Sequence, residues 1–134
     1  MFGWPETASY HDCADENVMV IAIIEEARAV DKIDEIAATP GIDVLFIGTS
    51  DLSFSLGLRG RQNEPLHQEA VAKVVAAGKK HGKFLGRPAG SAEKIEEYRR
   101  QGFQLFQTAT DIGFMAQGAK NLFQSLGEMK IADI

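Results

Sequence analysis

Two acidic residues follow apolar segments of this sequence, in a pattern that could hold a metal ion. Glu25 ends the run "VMVIAII" (residues 18–24), and Asp51 comes shortly after "VLFI" (residues 44–47). If these runs are neighbouring parallel strands, their axes lie about 4.8 Å apart, so both carboxylates can reach one divalent cation. A hard ion such as Mg²⁺ prefers about six oxygen ligands and usually keeps water. Two carboxylates would therefore form an open site, which is typical of catalysis.

The same acids also have structural explanations. Glu25 could be the first exposed residue of a helix, where the dipole favours a negative charge, and Glu26 fits that place equally well. Asp51 could be a turn residue or a helix N-cap, both common places for aspartate. Their positions alone leave both interpretations open.

The elements that must position these acids form four strand–helix units. The apolar runs are unbroken, which is typical of parallel strands covered on both faces, and apolar residues recur at helical spacing after them. Candidate helix ends are marked by Pro65 at a first helical position, Ser91 and Asp111 as N-caps, and glycines as terminators. The predicted strands are residues 18–24, 44–47, 84–85 and 105–109, and the predicted helices cover residues 29–37, 65–82, 91–102 and 111–127.

Four such units predict an α/β fold with a parallel sheet and right-handed crossovers. With 134 residues, the chain is expected to be a single domain over residues 1–134. A doubly wound sheet is complete at about this length, whereas a closed eight-stranded barrel needs about 250 residues, so length by itself favours the doubly wound sheet. In both folds ligands bind at the carboxyl ends of the strands, where Arg87, Thr108 and Asp111 join the two acids.

Composition narrows the range of partners. The net charge of −5 and the lack of a cluster of basic residues argue against binding to nucleic acid or to a membrane surface. The single Cys13 cannot form an internal disulfide, and no leader or long apolar run is seen. A cytoplasmic protein is therefore expected.

Other polar residues give weaker signals. The segment "YHDCAD" (residues 10–15) lacks the two separated ligand pairs of a zinc site. His67 and His81 are predicted to lie at the surface, at the two ends of one helix. Arg59 and Arg61 are predicted to lie in a solvated loop, although they could instead clamp the distal end of a substrate.

A longer stretch carries a specific resemblance. The segment "ENVMVIAIIEEARAVDKIDEIAATPGIDVLFIGTSDLSFSLG" (residues 16–57) resembles the class II pyruvate aldolase family, also called HpcH/HpaI. Its turn "FIGTSDLS" is similar to the Gly-Pro-x-Asp-Leu-Ser-like turn of that family. The resemblance continues through "HGKFLGRPAGSAEKIEEYRRQGFQLFQTATD" (residues 81–111), so it covers most of the chain.

The resemblance implies the C-terminal half of a (β/α)8 TIM barrel, with these units corresponding to barrel strands five to eight. It also implies that Glu25 and Asp51 bind Mg²⁺, Mn²⁺ or Co²⁺. The substrate's carboxylate would then be received by the backbone amides of Ser50 and Asp51. The residue at the Pro88 position lies near that carboxylate in the family, although a proline offers no amide hydrogen. Arg87 could neutralise a substrate carboxylate or pair with a neighbouring acid.

The implied activity is reversible cleavage of a 4-hydroxy-2-oxo acid to pyruvate and an aldehyde. A bound cation stabilises the enolate that forms, so no Schiff-base lysine is needed. The family's histidine acid/base and its ketone-binding arginine lie in the other half of the barrel, so no catalytic acid or base can be assigned here. The alternative is an inactive half-barrel that binds metal and 2-oxo acid, or that only assembles with a partner. Relatives exchange the last helix between subunits, which implies a homo-oligomer.

Overall fold

The computed structural model describes residues 17–127, which form four strands and six helices. The segment "YHDCAD" and Cys13 lie outside these described residues. None of the described helices is long and apolar enough to cross a membrane. The strands are β1 (Ile21–Ile24), β2 (Val44–Ile47), β3 (Phe84–Pro88) and β4 (Leu105–Gln107), and the helices are α1 (Ala27–Asp31), α2 (Ile33–Ala38), α3 (Thr49–Ser55), α4 (Pro65–Lys80), α5 (Ala92–Gln101) and α6 (Asp111–Gly127).

The strands form one parallel sheet in the order β1-β2-β3-β4. A doubly wound sheet reverses its strand order at a switch point, whereas a barrel adds each new strand on the same side of the previous one. The described sheet shows no reversal. The doubly wound fold that length favoured is therefore wrong, and the half-barrel architecture is confirmed.

The two faces of the sheet have different environments. One face packs against the helices and forms the core, whose fully buried members include Leu45, Ile47 and Leu85. The other face corresponds to the inside of a barrel and carries Ile23 and Phe84, whose exposed fractions are 60% and 56%. Among the described residues, apolar surface on this inner face is thus left open to solvent.

Several helix boundaries follow from local chemistry. Pro65 occupies the first turn of α4, as predicted, and Ser91 caps α5, accepting a hydrogen bond from the Lys94 amide at 3.3 Å. The prediction that Asp111 is the N-cap of α6 is wrong. The hydroxyl of Thr110 accepts from the Gly113 amide at 3.0 Å and so caps α6, while Asp111 is already its first helical residue.

Other elements also differ from the sequence prediction, including β3, which is longer than predicted, and β4, which is shorter. Strand β1 begins at Ile21 rather than Val18, and the amide of Val20 instead donates to the Asp43 carboxylate at 2.8 Å. The predicted helix over residues 29–37 is divided at Lys32 into α1 and α2. Helix α3, over Thr49–Ser55, replaces what reads in the sequence as a turn. Its short length and three serines hide the helical periodicity.

An ion-pair cluster ties α2 to the end of α4. The Asp34 carboxylate accepts from Lys80 Nζ at 2.8 and 2.9 Å and from His81 Nε2 at 2.9 Å. The hydrogen bond from Lys80, followed by that from His81, holds the pKa of Asp34 below its ordinary value. Because the pKa is depressed in the folded state, the stabilisation is present above about pH 4 and is lost as the pH falls through the folded pKa.

We expect Asp34→Asn to lower the Tm at neutral pH by no more than about 3 °C, since exposed ion pairs contribute little. The difference from wild type should shrink as the pH falls below about 4. Thermal unfolding followed by circular dichroism between pH 2.5 and 7 measures this. Asp31→Asn removes the same charge from α1 and should leave the pH profile unchanged; equal profiles for all three proteins would contradict the ion-pair explanation.

Candidate active site at the carboxyl ends of the strands

Glu25 is placed by the pairing of β1 with β2. The strands pair through Ile24 and Ile47, and the Gly48 amide continues the ladder by donating to the Ile24 carbonyl at 3.1 Å. Glu25 therefore stands beside Gly48 just past the strand ends. A Cβ atom on Gly48 would lie 2.9 Å from the Glu25 Cβ and 3.0 Å from its Oε2. The glycine thus leaves the space that the Glu25 side chain occupies.

Asp51 lies in the first turn of α3, where the helix dipole favours a carboxylate. This turn is fixed by short-range hydrogen bonds. The Ser53 hydroxyl donates to the Ser50 carbonyl at 2.6 Å and accepts from the Gly60 amide at 2.9 Å. Ser53 is fully buried, while Ser50 and Asp51 are exposed. A buried anchor therefore holds an exposed acid at the rim of the sheet.

A cavity of about 460 Å³ opens between these elements. It brings together four residues that the sequence analysis proposed for the site: Glu25, Ser50, Asp51 and Pro88. Its remaining lining comprises Ile23, Phe46, Gly48, Thr49, Gln62 and Gln107.

Two polar residues of this lining were missed by sequence analysis. Gln107 is the last residue of β4, and the residues predicted for this strand end, Thr108 and Asp111, lie beyond it. Gln62 lies in the loop that contains the candidate residues Arg59 and Arg61. Its backbone carbonyl accepts a hydrogen bond from Gln68 Nε2 at 2.6 Å. The position of Gln107 at a strand end was a usable signal, whereas no local pattern distinguishes Gln62 from its neighbours.

Arg87 occupies a different environment from Pro88. Its guanidinium stacks on the ring of Tyr98 at 3.6 Å and lies 5.2 Å from the ring centroid of Phe103, and the residue is only 9% exposed. Burial lowers its pKa, with Tyr98 and then Glu97 opposing that effect. Arg87 thus lies on the helix side of β3 and does not line the cavity. The structure therefore separates it from the other predicted substrate contacts.

The donor set of the cavity suits a hard cation. Carboxylate oxygens are the protein ligands that Mg²⁺ and Mn²⁺ prefer, and Mg²⁺ is commonly bound by one or two carboxylates with water and substrate completing the shell. Among residues 17–127 there is no group of three or more His, Cys, Asp or Glu that could hold a metal. Two carboxylates are fewer than the ligands of a closed structural site, so an ion held by them would also need water or substrate oxygens.

A parallel sheet with sequential strand order and a cavity at the carboxyl ends of its strands define an α/β protein of the (β/α)8-barrel class. The HpcH/HpaI aldolase/citrate lyase family model matches residues 6–117. The chain therefore belongs to the HpcH/HpaI aldolase/citrate lyase family.

Two relatives that are similar in sequence are aldolases. The hydroxypyruvate/pyruvate aldolase of Paraburkholderia phytofirmans is 32% identical over 124 residues, covering 92% of this chain and 48% of that protein. The 5-keto-4-deoxy-D-glucarate aldolase of Klebsiella pneumoniae is 32% identical over 122 residues, covering 91% of this chain and 47% of that protein. The chain thus spans about half the length of these relatives.

Solved structures give the same picture. An HpcH/HpaI aldolase/citrate lyase family protein from Burkholderia cenocepacia J2315 matches with a TM-score of 0.80 and 37% identity, covering 89% of this chain and 46% of that one. The HpcH/HpaI aldolase from Desulfitobacterium hafniense DCB-2 matches with a TM-score of 0.78 and 26% identity, covering 90% and 47%. The four strand–helix units therefore correspond to about half of a family barrel.

Proposed function

We propose that this chain carries the metal- and pyruvate-binding half of an aldolase site, which cleaves a 4-hydroxy-2-oxo acid reversibly to pyruvate and an aldehyde. One observation carries the proposal: Glu25 and Asp51, from successive strand–helix units, line the same cavity at the carboxyl ends of the sheet. The aldolase activity of the relatives supports the same kind of reaction. In this proposal the units correspond to barrel strands five to eight.

Glu25 and Asp51 would hold Mg²⁺, Mn²⁺ or Co²⁺. When bound, the cation would act as a Lewis acid toward the ketone of the substrate. The chain would contribute both carboxylates from fixed backbone positions, Glu25 from a strand end over Gly48 and Asp51 from the first turn of α3. Since the described lining of the cavity contains no lysine, Schiff-base chemistry finds no support there.

The substrate carboxylate would be received by the backbone amides of Ser50 and Asp51. Amides in the first turn of a helix have no intrahelical acceptor, so they are available to an anion. Pro88 lines the same cavity and would contact the substrate through its ring and carbonyl, since it has no amide hydrogen. Arg87, stacked on Tyr98, would support the β3 end from the helix side rather than touch the substrate.

A second candidate is binding of metal and 2-oxo acid without turnover. Aldol cleavage requires a group that removes the proton of the 4-hydroxyl, and a general base must lie within hydrogen-bond reach of it. In the described lining, the titratable side chains are the two carboxylates assigned to the metal. This observation favours a site that needs an acid or base from outside residues 17–127 for full activity.

The two candidates are separated by mixing the chain with Mn²⁺ and a 4-hydroxy-2-oxo acid and measuring pyruvate release, with Glu25→Gln as the control. The aldolase proposal predicts release that stops on chelation with EDTA. Saturable binding of Mn²⁺ and pyruvate without release would establish the second candidate. Absence of Mn²⁺ binding would reject both.

We also propose that the protein assembles as a homo-oligomer through α6. Every residue of this helix is exposed, including Met115 at 74% and Phe123 at 70%. A helix with large apolar side chains and no buried face normally packs against a partner. Light scattering measures the number of subunits in the wild-type protein and in Met115→Glu. The proposal predicts an oligomer for wild type and fewer subunits for Met115→Glu; equal numbers would contradict it.

A further inference from the structure

His67 is buried, contrary to its predicted place at the surface. It lies in the first turn of α4 with an exposed fraction of 0%. Its Nε2 lies 3.1 Å from the carbonyl oxygen of Thr49. Because a carbonyl only accepts, Nε2 carries the proton and donates it, which fixes the tautomer of the ring. The Nδ1 atom has no hydrogen-bond partner within residues 17–127.

The acceptor of this hydrogen bond belongs to the turn that carries the proposed ligand site. Thr49 is the first residue of α3 and is itself buried, and Ser50 and Asp51 follow it directly. The same turn is held from β1 through the Gly48 amide and from the following loop through Ser53. His67 adds an anchor from α4, so the turn is fixed from a third side.

The lack of a partner for Nδ1 among residues 17–127 makes a simple packing role for His67 unfavourable. A buried acceptor without a partner costs free energy, and an apolar residue of similar size would avoid that cost. What an apolar residue cannot supply is the hydrogen bond to the Thr49 carbonyl. The role that requires a histidine is therefore to hold the turn in place through this hydrogen bond.

We propose that His67 is a positioning residue: through the Thr49 carbonyl it fixes the direction in which Asp51 and the amides of Ser50 and Asp51 face the cavity. This inference rests on the proposed function, because it assigns His67 to the metal and carboxylate site described there. It requires no change in the protonation of the ring and no contact between His67 and the substrate.

The test compares His67→Gln with His67→Asn. Both replacements are neutral and polar, but only the glutamine side chain places an amide nitrogen near the position of Nε2, within reach of the Thr49 carbonyl. His67→Leu removes the donor and the orphaned acceptor together. Three quantities are measured for each protein: Mn²⁺ affinity by titration, amide hydrogen exchange over residues 48–53, and Tm.

We expect His67→Gln to keep Mn²⁺ affinity within about threefold of wild type, and His67→Asn and His67→Leu to lose about 10-fold or more, as outer-shell changes at metal sites do. Exchange over residues 48–53 should quicken in the Asn and Leu proteins and stay near wild type in the Gln protein. If the Leu protein does not fold, the Gln and Asn pair decides.

Equal affinity and equal exchange in His67→Gln and His67→Asn would overturn the inference. Losses of Mn²⁺ affinity that merely parallel the loss of Tm would also overturn it, because they would indicate only a packing role for His67. If wild-type protein binds no Mn²⁺, the proposed function fails, while hydrogen exchange over the turn still tests whether His67 positions it.

Discussion

Glu25→Gln and Asp51→Asn should each weaken Mn²⁺ binding at least about 100-fold, because loss of outer-shell partners at metal sites already costs about 10–100-fold and these changes remove a ligand itself. Either amide keeps the size of the side chain but loses the charge that offsets the dehydration of a hard cation. Both carboxylates are exposed at the rim, so the changes should leave the Tm close to that of wild type.

The matched control is Glu26→Gln. Glu26 is the next residue along the chain, and its carboxylate pairs with Arg28 and does not line the cavity. Isothermal titration with Mn²⁺, with and without pyruvate, should show wild-type affinity for this variant. A Glu25→Gln protein that binds Mn²⁺ as tightly as the Glu26→Gln control would remove Glu25 from the site.

Gly48→Ala should weaken Mn²⁺ binding by about 10–100-fold, although Gly48 offers no ligand atom. The new methyl group would lie 2.9 Å from the Glu25 Cβ, which is closer than real Cβ contacts, and 3.0 Å from Oε2, which is tighter than most of them. Turning the exposed Glu25 side chain relieves only the Oε2 contact, because the Cβ is fixed by the backbone. The backbone at the ends of β1 and β2 must therefore shift as well, which displaces the Glu25 carboxylate from its place in the cavity. The expected loss is thus one of position rather than of charge.

Gly118→Ala controls for the general effect of adding a methyl group. Gly118 lies within α6, where a Cβ would meet no atom of the described residues within 4 Å, so this variant should bind Mn²⁺ as wild type does. Because α6 is also the proposed subunit contact, the subunit number of this variant is measured beside its Mn²⁺ affinity. Its Tm should rise slightly, because alanine favours a helix interior by about 0.5–1 kcal/mol over glycine. If Gly48→Ala also retained wild-type Mn²⁺ affinity, the close packing of Glu25 against residue 48 would not be needed for metal binding.

Much of the architecture was predictable from local pattern. Unbroken runs such as residues 44–47 identify strands buried in a parallel sheet, and Pro65 and Ser91 mark helix starts by their backbone chemistry. The order of the strands was not predictable in this way. It depends on where each crossover places the next strand, which long-range contacts decide, and chain length alone had favoured the doubly wound alternative.

Arg87 and Pro88 show how far the sequence could predict the residues of the site. Both lie at the end of β3, but successive residues of a strand point to opposite faces. The sequence therefore identified the right strand end, while the pairing of β3 with its neighbours decided that Pro88 lines the cavity and that Arg87 stacks on Tyr98.

The sequence by itself determined the four strand–helix units, the family resemblance and the two acids, because each is written in contiguous residues. Only the tertiary structure decided which side chains share the cavity and that His67 is buried against Thr49, which lies 18 residues earlier in the chain. The reason is physical: burial and side-chain partners depend on the packing of segments that are distant in sequence, and such contacts leave no local periodicity.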